Sequence, residues 1–302
     1  MFEHIDILTL RASFVAKTEG RLPHYLGSTL RGILGHCMRD FVCSTPEVRC
    51  HLCNVRDGCA YAQCFCSPGN EAGAVNPFVL HALVRDKPEW KMGDVCTFDL
   101  TLIGQITSRA GLFLDALQAM GERGWGVSRI QFSLEQVIDP ICNKLIFSGG
   151  KTWMRNMGSH PINDGERPAT AVLIRFDTPV RILVKRSLCH TLPFDTLVQS
   201  MSRRISLLSQ AYTGHVVQWD EKEMLKAAKE IKTRQEDWRL IDFERYSMTC
   251  DENRLSLPSI EGWVLYEGDL TPFTSLLEAG RRLHVGKNST IGFGHFNAAY
   301  DR

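Results

Sequence analysis

The chain has 302 residues, of which 44% are hydrophobic, and a formal net charge of +1 at pH 7. This length suffices for two domains of ordinary size. The near-zero charge excludes a general basic field, so any nucleic-acid contact must rely on local clusters. No apolar run approaches the roughly 20 residues of a membrane span, and the start of the chain lacks a signal-peptide pattern. We therefore expect a cytoplasmic protein that does not enter a membrane.

Hydrophobic periodicity predicts alternating strands and helices in both halves of the chain. In the first half, strands are predicted over residues 4–17, 76–84, 95–107, 129–137 and 144–147, and helices over 26–41 and 110–120. Residues 151–167 hold Gly, Pro, Asn and Asp without periodicity, which is typical of a linker. In the second half, strands are predicted over residues 171–176, 180–184, 240–249, 262–270 and 293–299, and helices over 194–212, 221–231 and 273–283.

The two halves repeat one order of elements, which is strand, helix, two strands, helix, Gly-x-Gly turn and strand. Gly124-Trp-Gly126 closes the first half and Gly292-Phe-Gly294 closes the second. This order predicts an α+β fold of tandem ferredoxin-like (RRM-like) domains over residues 1–150 and 168–302. Such a sheet carries helices on one face, and RNA-binding sheets of this topology use the other.

A cysteine-rich insert over residues 43–68 interrupts the first half. The chain has eleven cysteines, an odd number, and such clustering in a reducing compartment favours metal over disulfides. Cys50-x-x-Cys53 is a tight pair of the kind that zinc sites use, and Cys59 and Cys64 could supply the second pair. We predict a structural Zn²⁺, because four protein ligands leave no open position for catalysis. An iron–sulfur cluster and free surface thiols remain alternatives.

A glycine-rich loop over residues 286–294 precedes the last predicted strand. Glycines at 286, 292 and 294 allow positive φ and close approach to the main chain, and Lys287 adds a cation beside them. Exposed N–H groups with a nearby positive charge suit a phosphate, while a simple tight turn is the alternative. The loop is not a nucleotide-binding P-loop, because five residues separate Gly280 from Gly286 and a strand follows.

Four further motifs, in this order, narrow the interpretation. They are Gly27-Ser-Thr-Leu-Arg31-Gly32-Ile-Leu-Gly35, Cys59-Ala-Tyr61-Ala, Gly124-Trp-Gly126-x-x-Arg129-x-x-Phe132-x-Leu134, and Arg245-Tyr246-Ser247. With the double fold and a Gly-Lys-x-x-x-x-Gly-x-Gly loop, they resemble the CRISPR-associated RAMP proteins. Within that superfamily the chain resembles, over nearly its whole length, the precursor-crRNA-processing endoribonucleases of the Cas-six family.

The resemblance implies metal-independent cleavage of CRISPR repeat RNA to crRNA, by attack of a 2′-hydroxyl that leaves a 2′,3′-cyclic phosphate. It implies CRISPR repeat RNA as partner, and it leaves open whether the enzyme keeps the crRNA and joins other Cas subunits. It places the reacting residue on or near the first helix, where the first choice is His36 and the second His24. Tyr25 would orient the RNA and Arg31 would hold the phosphate.

The RNA-holding residues are expected mainly in the second half. The candidates are Gly286, Lys287, Gly292, Gly294, His284, Arg203, Arg204 and Lys185. Two other functions compete with the nuclease. One is a non-catalytic crRNA-binding RAMP subunit of an interference complex, and the other is a zinc-stabilised interaction protein without an RNA role.

Overall fold

The structure, a computed structural model, describes residues 2–66, 75–218, 220–246 and 254–301, the side chains of residues 245, 246 and 254 excepted. It divides into two compact units. The first unit comprises His4–Pro161 with Ala211–Thr213, and the second comprises Met1–Glu3, Ile162–Gln210 and Gly214–Arg302. The division after Pro161 falls inside the segment predicted as a linker. Within the described part of the chain, no helix combines the length and apolarity needed to cross a membrane.

The first unit is built on one antiparallel sheet. Its elements are β1 (Asp6–Ala16), β2 (Gly20–Arg21), α1 (Gly27–Val42), α2 (Ala60–Phe65), β3 (Phe78–Ala82), β4 (Glu89–Trp90), β5 (Val95–Ile103), α3 (Ala110–Arg123), β6 (Phe132–Asp139), β7 (Lys144–Ser148), β8 (Lys151–Thr152) and β9 (His160–Pro161). The strand order is β3-β5-β1-β6-β7-β8, and β9 pairs with β1. A separate two-stranded ladder joins β2 to β4.

Alternating hydrophobicity places the core of the first unit between its sheet and helices. In β5, Cys96, Phe98 and Leu100 are buried while the residues between them are partly exposed. Trp125, held between two glycines, is fully buried, and its Nε1 donates to the Met120 carbonyl oxygen at 2.9 Å. The Gly-Trp-Gly turn of the sequence is therefore a core anchor that ties the end of α3 to β6.

The second unit repeats the same plan. Its elements are β10 (Ala171–Phe176), β11 (Leu183–Val184), β12 (Ser187–Leu188), α4 (Phe194–Thr213), α5 (Glu221–Lys229), β13 (Lys232–Tyr246), β14 (Arg254–Glu267), α6 (Thr274–Leu283) and β15 (Phe296–Asp301). The antiparallel sheet has the order β13-β14-β10-β15, and β11 pairs with β12.

In both units the principal strands lie in the order second, third, first, fourth. In the first unit these are β3-β5-β1-β6, and in the second they are β13-β14-β10-β15. The chain thus has a mixed α/β fold with antiparallel sheets, and the strand orders are consistent with the predicted ferredoxin-like topology.

Three predicted strands differ from the structure, and one of them is β14, which begins at Arg254 rather than at residue 262. The strand expected over residues 180–184 reduces to an isolated bridge between Val180 and Ile260 and the two-residue strand β11. β13 begins at Lys232, well before the predicted residue 240. Its early part is an exposed edge strand rich in charged residues, so it lacks the apolar alternation from which strands are recognised.

Candidate functional site

The first-choice histidine lies on an open surface of the first helix. His36 is exposed on α1, and Gly32, one turn earlier, has open space where a side chain would stand. Asp40, one turn later, forms an ion pair with Arg123 of α3. A large ligand can therefore approach the His36 imidazole, which is the first requirement for proton transfer.

The second-choice histidine lies in the segment that leads into α1. His24 Nδ1 is 3.9 Å from Asp86 Oδ1, and the two side chains are 71% and 89% exposed. A pair so exposed is held weakly, so the imidazole remains accessible. Tyr25, its neighbour, is half-buried.

The remaining α1 candidate lies where the cysteine-rich insert meets the helix. The Arg31 guanidinium lies 5.4 Å from the centroid of the Phe65 ring, a cation–π distance. Gly35 permits that ring to pack close, because a Cβ there would lie 3.0 Å from Phe65 Cδ1. The glycine motif of α1 thus has a packing role, and the phosphate contact of Arg31 stays a prediction.

The glycine-rich loop of the second unit is closed by its own main-chain bonds. The amides of Lys287 and Gly294 donate to the carbonyl oxygens of Arg181 and Pro179, both at 2.8 Å. The Phe293 amide donates to Asn288 at 3.3 Å. These N–H groups face the protein, so the expectation of a bare amide cradle for phosphate is wrong at these positions.

The glycines of this loop instead permit close packing. A Cβ at Gly294 would lie 1.9 Å from the Val285 carbonyl oxygen, and one at Gly286 would lie 2.6 Å from that of Arg181. Both glycines have φ of +78°, and Gly292 has φ of +96°, conformations that favour glycine. The close contacts and positive φ values fix the conformation of the loop, and Lys287 extends from it into solvent.

The other charged groups near the loop are engaged within the protein. Arg281 Nε donates to Glu278 at 2.9 Å, and Arg282 donates to both oxygens of Asp164 at 2.8 and 3.1 Å. His284, expected to contact RNA, is only 3% exposed, with Nδ1 3.0 Å from the Phe293 carbonyl oxygen. That expectation is corrected, because a buried ring cannot contact an RNA backbone.

Of the two adjacent arginines on α4, one lies at the surface and the other in the core. Arg203 is exposed, as an RNA contact requires. Arg204 is 8% exposed, and its Nε donates to the Leu283 carbonyl oxygen at 3.0 Å. Arg204 therefore ties α4 to the end of α6, and its predicted RNA contact is corrected.

A histidine–aspartate pair escaped the sequence analysis. His295 Nδ1 is 2.7 Å from Asp177 Oδ2, and Asn297 Nδ2 donates to both oxygens of the same carboxylate at 2.9 and 3.0 Å. Pairing of Phe176 with Phe296 places Asp177 beside His295. Only this strand register, set between distant segments, could have revealed the pair.

Lys185 occupies a strained turn between β11 and β12. Lys185 and Arg186 have φ of +49° and +71°, and both are exposed. Tight hairpin turns with two positive φ values prefer Asn-Gly, and non-glycine residues in this region cost free energy. The strained backbone of this turn exposes two adjacent cations. The turn is therefore a candidate contact for an anionic ligand.

Cysteines of the insert line a shared pocket. Cys43, Cys50, Cys53 and Cys59 contribute to its wall, and the Cys66 thiol shares a hydrogen bond with that of Cys50. In the described part of the chain, no three of the insert thiols have their sulfur atoms within 4.8 Å of one another.

Cys64, predicted as the fourth metal ligand, is not among the residues that line the pocket. It is fully buried on α2, one turn after the buried Ala60, and belongs to the hydrophobic core of the first unit. Burial raises the pKa of its thiol to about 12. Charge interaction with Cys59, which lines the pocket, also raises this pKa, so the metal role of Cys64 stays a prediction.

Two family models match the sequence. The model of the CRISPR-associated endoribonuclease Cas6 matches residues 174–296, and the model AF_1859_N, described as an N-terminal domain, matches residues 5–159. Residues 174–296 are therefore similar in sequence to the Cas6 endoribonucleases. No curated protein matches the sequence.

Solved Cas6 structures share the fold. A product complex of Thermus thermophilus Cas6 has a TM-score of 0.57 at 14% identity, covering 97% of this chain and 100% of that one. A partial Cas6-RT-Cas1–Cas2 complex has a TM-score of 0.60 at 12% identity, covering 98% and 46%. The product complex of another Cas6 has a TM-score of 0.51 at 18% identity, covering 97% and 100%. At these identities the likeness shows a shared fold.

Proposed function

We propose that the chain cleaves precursor CRISPR repeat RNA to mature crRNA by a mechanism that needs no metal ion. The observation that carries the proposal is the exposed His36 on the first helix of a chain whose residues 174–296 match the Cas6 endoribonuclease model. Solved Cas6 proteins bound to their products support a reaction in which the enzyme keeps contact with the cleaved strand.

The chemistry requires a base, an acid and a group that stabilises charge. A base removes the 2′-hydroxyl proton, the oxygen attacks the adjacent phosphorus, and an acid protonates the departing 5′-oxygen to leave a 2′,3′-cyclic phosphate. Histidine suits either proton transfer because its ordinary pKa is about 6.5. We assign this role to His36, with His24 as the second candidate. In the proposal Tyr25 orients the RNA, and Arg31 stabilises the phosphorane charge.

Exposed cations of the second unit would hold the RNA backbone. Arg203, Lys287 and the turn formed by Lys185 and Arg186 are exposed and can pair with phosphates, which would make binding dependent on salt. Gly286, Gly292 and Gly294 shape the loop that carries Lys287. His284 and Arg204, which are buried, have no part in this proposed surface.

The test is a cleavage assay with purified protein and labelled repeat RNA in EDTA. We expect a product with a 2′,3′-cyclic phosphate end. The expected loss of cutting in His36→Ala, with RNA binding retained, would identify the residue, and His24→Ala is the matched comparison. The zinc content is measured after the assay to show whether EDTA has removed the structural ion. A loss of activity caused by removal of that ion is then not mistaken for loss of a catalytic metal. Binding without cutting by the wild type would favour the non-catalytic RAMP subunit.

We also propose that the insert pocket holds a structural zinc ion. Cys50, Cys53 and Cys59 supply three ligands, and either Cys43 or Cys66 supplies the fourth. The thiols fit zinc in chemistry, and the ion would draw them closer than their present spacing. A bound zinc would organise the residues of the insert that α2 does not anchor.

Retention of the crRNA would make the chain a component of larger CRISPR assemblies. A solved complex contains Cas6 together with RT, Cas1 and Cas2. We propose that the present chain, acting in the cytoplasm on CRISPR transcripts, likewise associates with other Cas subunits. Co-purification of the RNA-bound protein with Cas proteins encoded at its own locus would test this, and the RNA-free protein is the control.

A further inference from the structure

A second cluster of metal-ligating side chains lies at the end of β6. Asp139 ends that strand, Cys142 lies in the turn to β7, and His160 lies in β9. Their ligand atoms all lie within 4.8 Å of one another. Cys142 Sγ donates to Asp139 Oδ2 at 3.0 Å, and His160 Nε2 is 2.7 Å from the same oxygen.

The centre of this cluster is a buried carboxylate without a permanent cation. Asp139 is 0% exposed, and its Oδ1 accepts from the Ile141 amide at 2.8 Å. Among the residues that the structure describes, its ion-pair partner is His160, which is a cation only when protonated. A buried carboxylate is costly unless opposite charge compensates it. A divalent cation would supply that charge wherever the pH leaves its ligands deprotonated.

We propose that Asp139, Cys142 and His160 bind a zinc ion. A carboxylate oxygen, a thiolate sulfur and an imidazole nitrogen are all ligands that zinc accepts. Metal–ligand bonds of about 2.0–2.3 Å put neighbouring donors of a tetrahedral site roughly 3.3–3.5 Å apart. The hydrogen-bonded pairs need only small side-chain rotations to reach that spacing. Binding would release the Cys142 thiol proton to solvent and engage His160 through Nε2.

The arrangement does not suit a cysteine nucleophile. A nucleophilic thiol is activated by a base that receives its proton directly. Here Cys142 and His160 both bond to one oxygen of Asp139, so the carboxylate stands between them. Burial raises the pKa of the Cys142 thiol further, and the nearby Lys144 only partly opposes this. The side chain of His160 is 31% exposed, which leaves room for water as a fourth ligand.

The ion would join two strands that share one edge of β1. β6 pairs with β1 over Arg11–Ala16, while β9 pairs with it only at Asp6 and Ile7. Two residue pairs alone give β9 little hold on the sheet. A metal bound by the end of β6 and by His160 would fasten the last strand of the first unit beside β6.

Metal content of the full chain tests the proposal. Wild type, Cys142→Ser and His160→Ala are prepared in one zinc-containing buffer, desalted, and measured by inductively coupled plasma mass spectrometry. We expect each variant to hold one zinc fewer than the wild type. Cys189→Ser, which removes a half-buried thiol of the second unit, should leave the content unchanged. Circular dichroism confirms folding, and serine at position 142 keeps a hydroxyl that can donate to Asp139.

A second background separates this ion from any ion in the cysteine-rich insert. In Cys50→Ser/Cys53→Ser protein we expect one zinc to remain and to disappear when His160→Ala is added. Cobalt bound in this background should show charge transfer from a single thiolate. Absence of metal from the folded background protein would overturn the proposal. So would an unchanged zinc content in Cys142→Ser and His160→Ala, because the cluster would then be a hydrogen-bonded latch only.

Discussion

The two units share a strand order, but the first-choice histidine of the first unit is exposed, whereas the two histidines beside the glycine-rich loop of the second are held within the fold. In the first unit His36 stands exposed on α1, beside open space at Gly32. In the second unit His284 is buried, and His295 is held by Asp177 at 2.7 Å. A repeated fold can therefore expose a histidine on a helix of one half while two histidines of the other half stabilise structure.

The Gly-x-Gly turns that close the two units also differ in the groups that their second glycines pack against. Gly126 of the first unit faces a side chain, because a Cβ there would lie 2.7 Å from Leu22 Cδ2. Gly294 of the second unit faces the main chain at Val285. The two turns carry one sequence pattern and main-chain hydrogen bonds close both, yet the second glycine packs most tightly against a side chain in the first turn and against a carbonyl oxygen in the second.

The largest expected effect tests the contrast between the histidines. His36→Ala should lower the cleavage rate by about 10²–10⁴-fold, the usual contribution of a general acid or base. His295→Asn, which retains a donor for Asp177, should leave the rate within about twofold, since a structural hydrogen bond is preserved. Single-turnover cleavage measures both. Equal losses in the two variants would contradict the division of roles.

The next effect tests the contrast between the two turns. Gly294→Ala should lower the free energy of unfolding by about 3 kcal/mol or more, because positive φ and a main-chain clash add together. Gly126→Ala should cost only about 1–2 kcal/mol, since Leu22 can move. Urea unfolding measures both. A Gly126→Ala variant as unstable as Gly294→Ala would show that the two turns are equally constrained.

A third prediction contrasts two kinds of cysteine in the insert. Cys50→Ser/Cys53→Ser should remove the zinc of the insert, because two pocket ligands are lost. Cys64→Ala should retain that zinc and lower the free energy of unfolding by about 1 kcal/mol for the lost buried sulfur. Zinc content and thermal unfolding measure both. Loss of zinc in Cys64→Ala would show that Cys64 is a zinc ligand.

The smallest expected effect concerns the strained cationic turn of the second unit. Lys185→Asn with Arg186→Gly should raise the free energy of unfolding by about 0.5–1 kcal/mol, since Asn-Gly suits such a turn. The same change should weaken RNA binding and reduce its salt dependence by roughly 1–1.5 in log–log slope for two lost phosphate contacts. Lys222→Ala/Lys229→Ala on α5 removes equal charge as the control. If both double variants bind RNA alike, the turn is not a contact.

Sequence periodicity predicted most helices and the order of the main strands, because those elements each bury one face. It did not indicate that Cys64 is buried in the core, because residues 60–65 were not recognised as a helix. Helical spacing puts Cys64 on the face of Ala60, four residues earlier. The closure of the glycine loop was beyond prediction, since its amides bond to Pro179 and Arg181, more than one hundred residues earlier in the chain.

The likeness to Cas6 proteins followed from the order of motifs, whereas the environments of individual residues did not. Arg203 and Arg204 are adjacent and chemically alike, yet one is exposed and the other buried. Only the direction of each side chain on α4 separates them. The pairing of Asp177 with His295 likewise depends on strand register, which no local pattern specifies.

The exposed strand β13 bears on how the protein behaves at high concentration. It lies at the edge of its sheet, and its main-chain groups on that side could pair with a second molecule. Its exposed positions carry charges of both signs, including Arg234, Glu236, Arg239 and Glu244. Edge-to-edge association would bring these charged side chains together and dehydrate them. The charged residues of β13 remove the apolar alternation by which a strand is recognised. The same residues disfavour aggregation of the second unit through this edge.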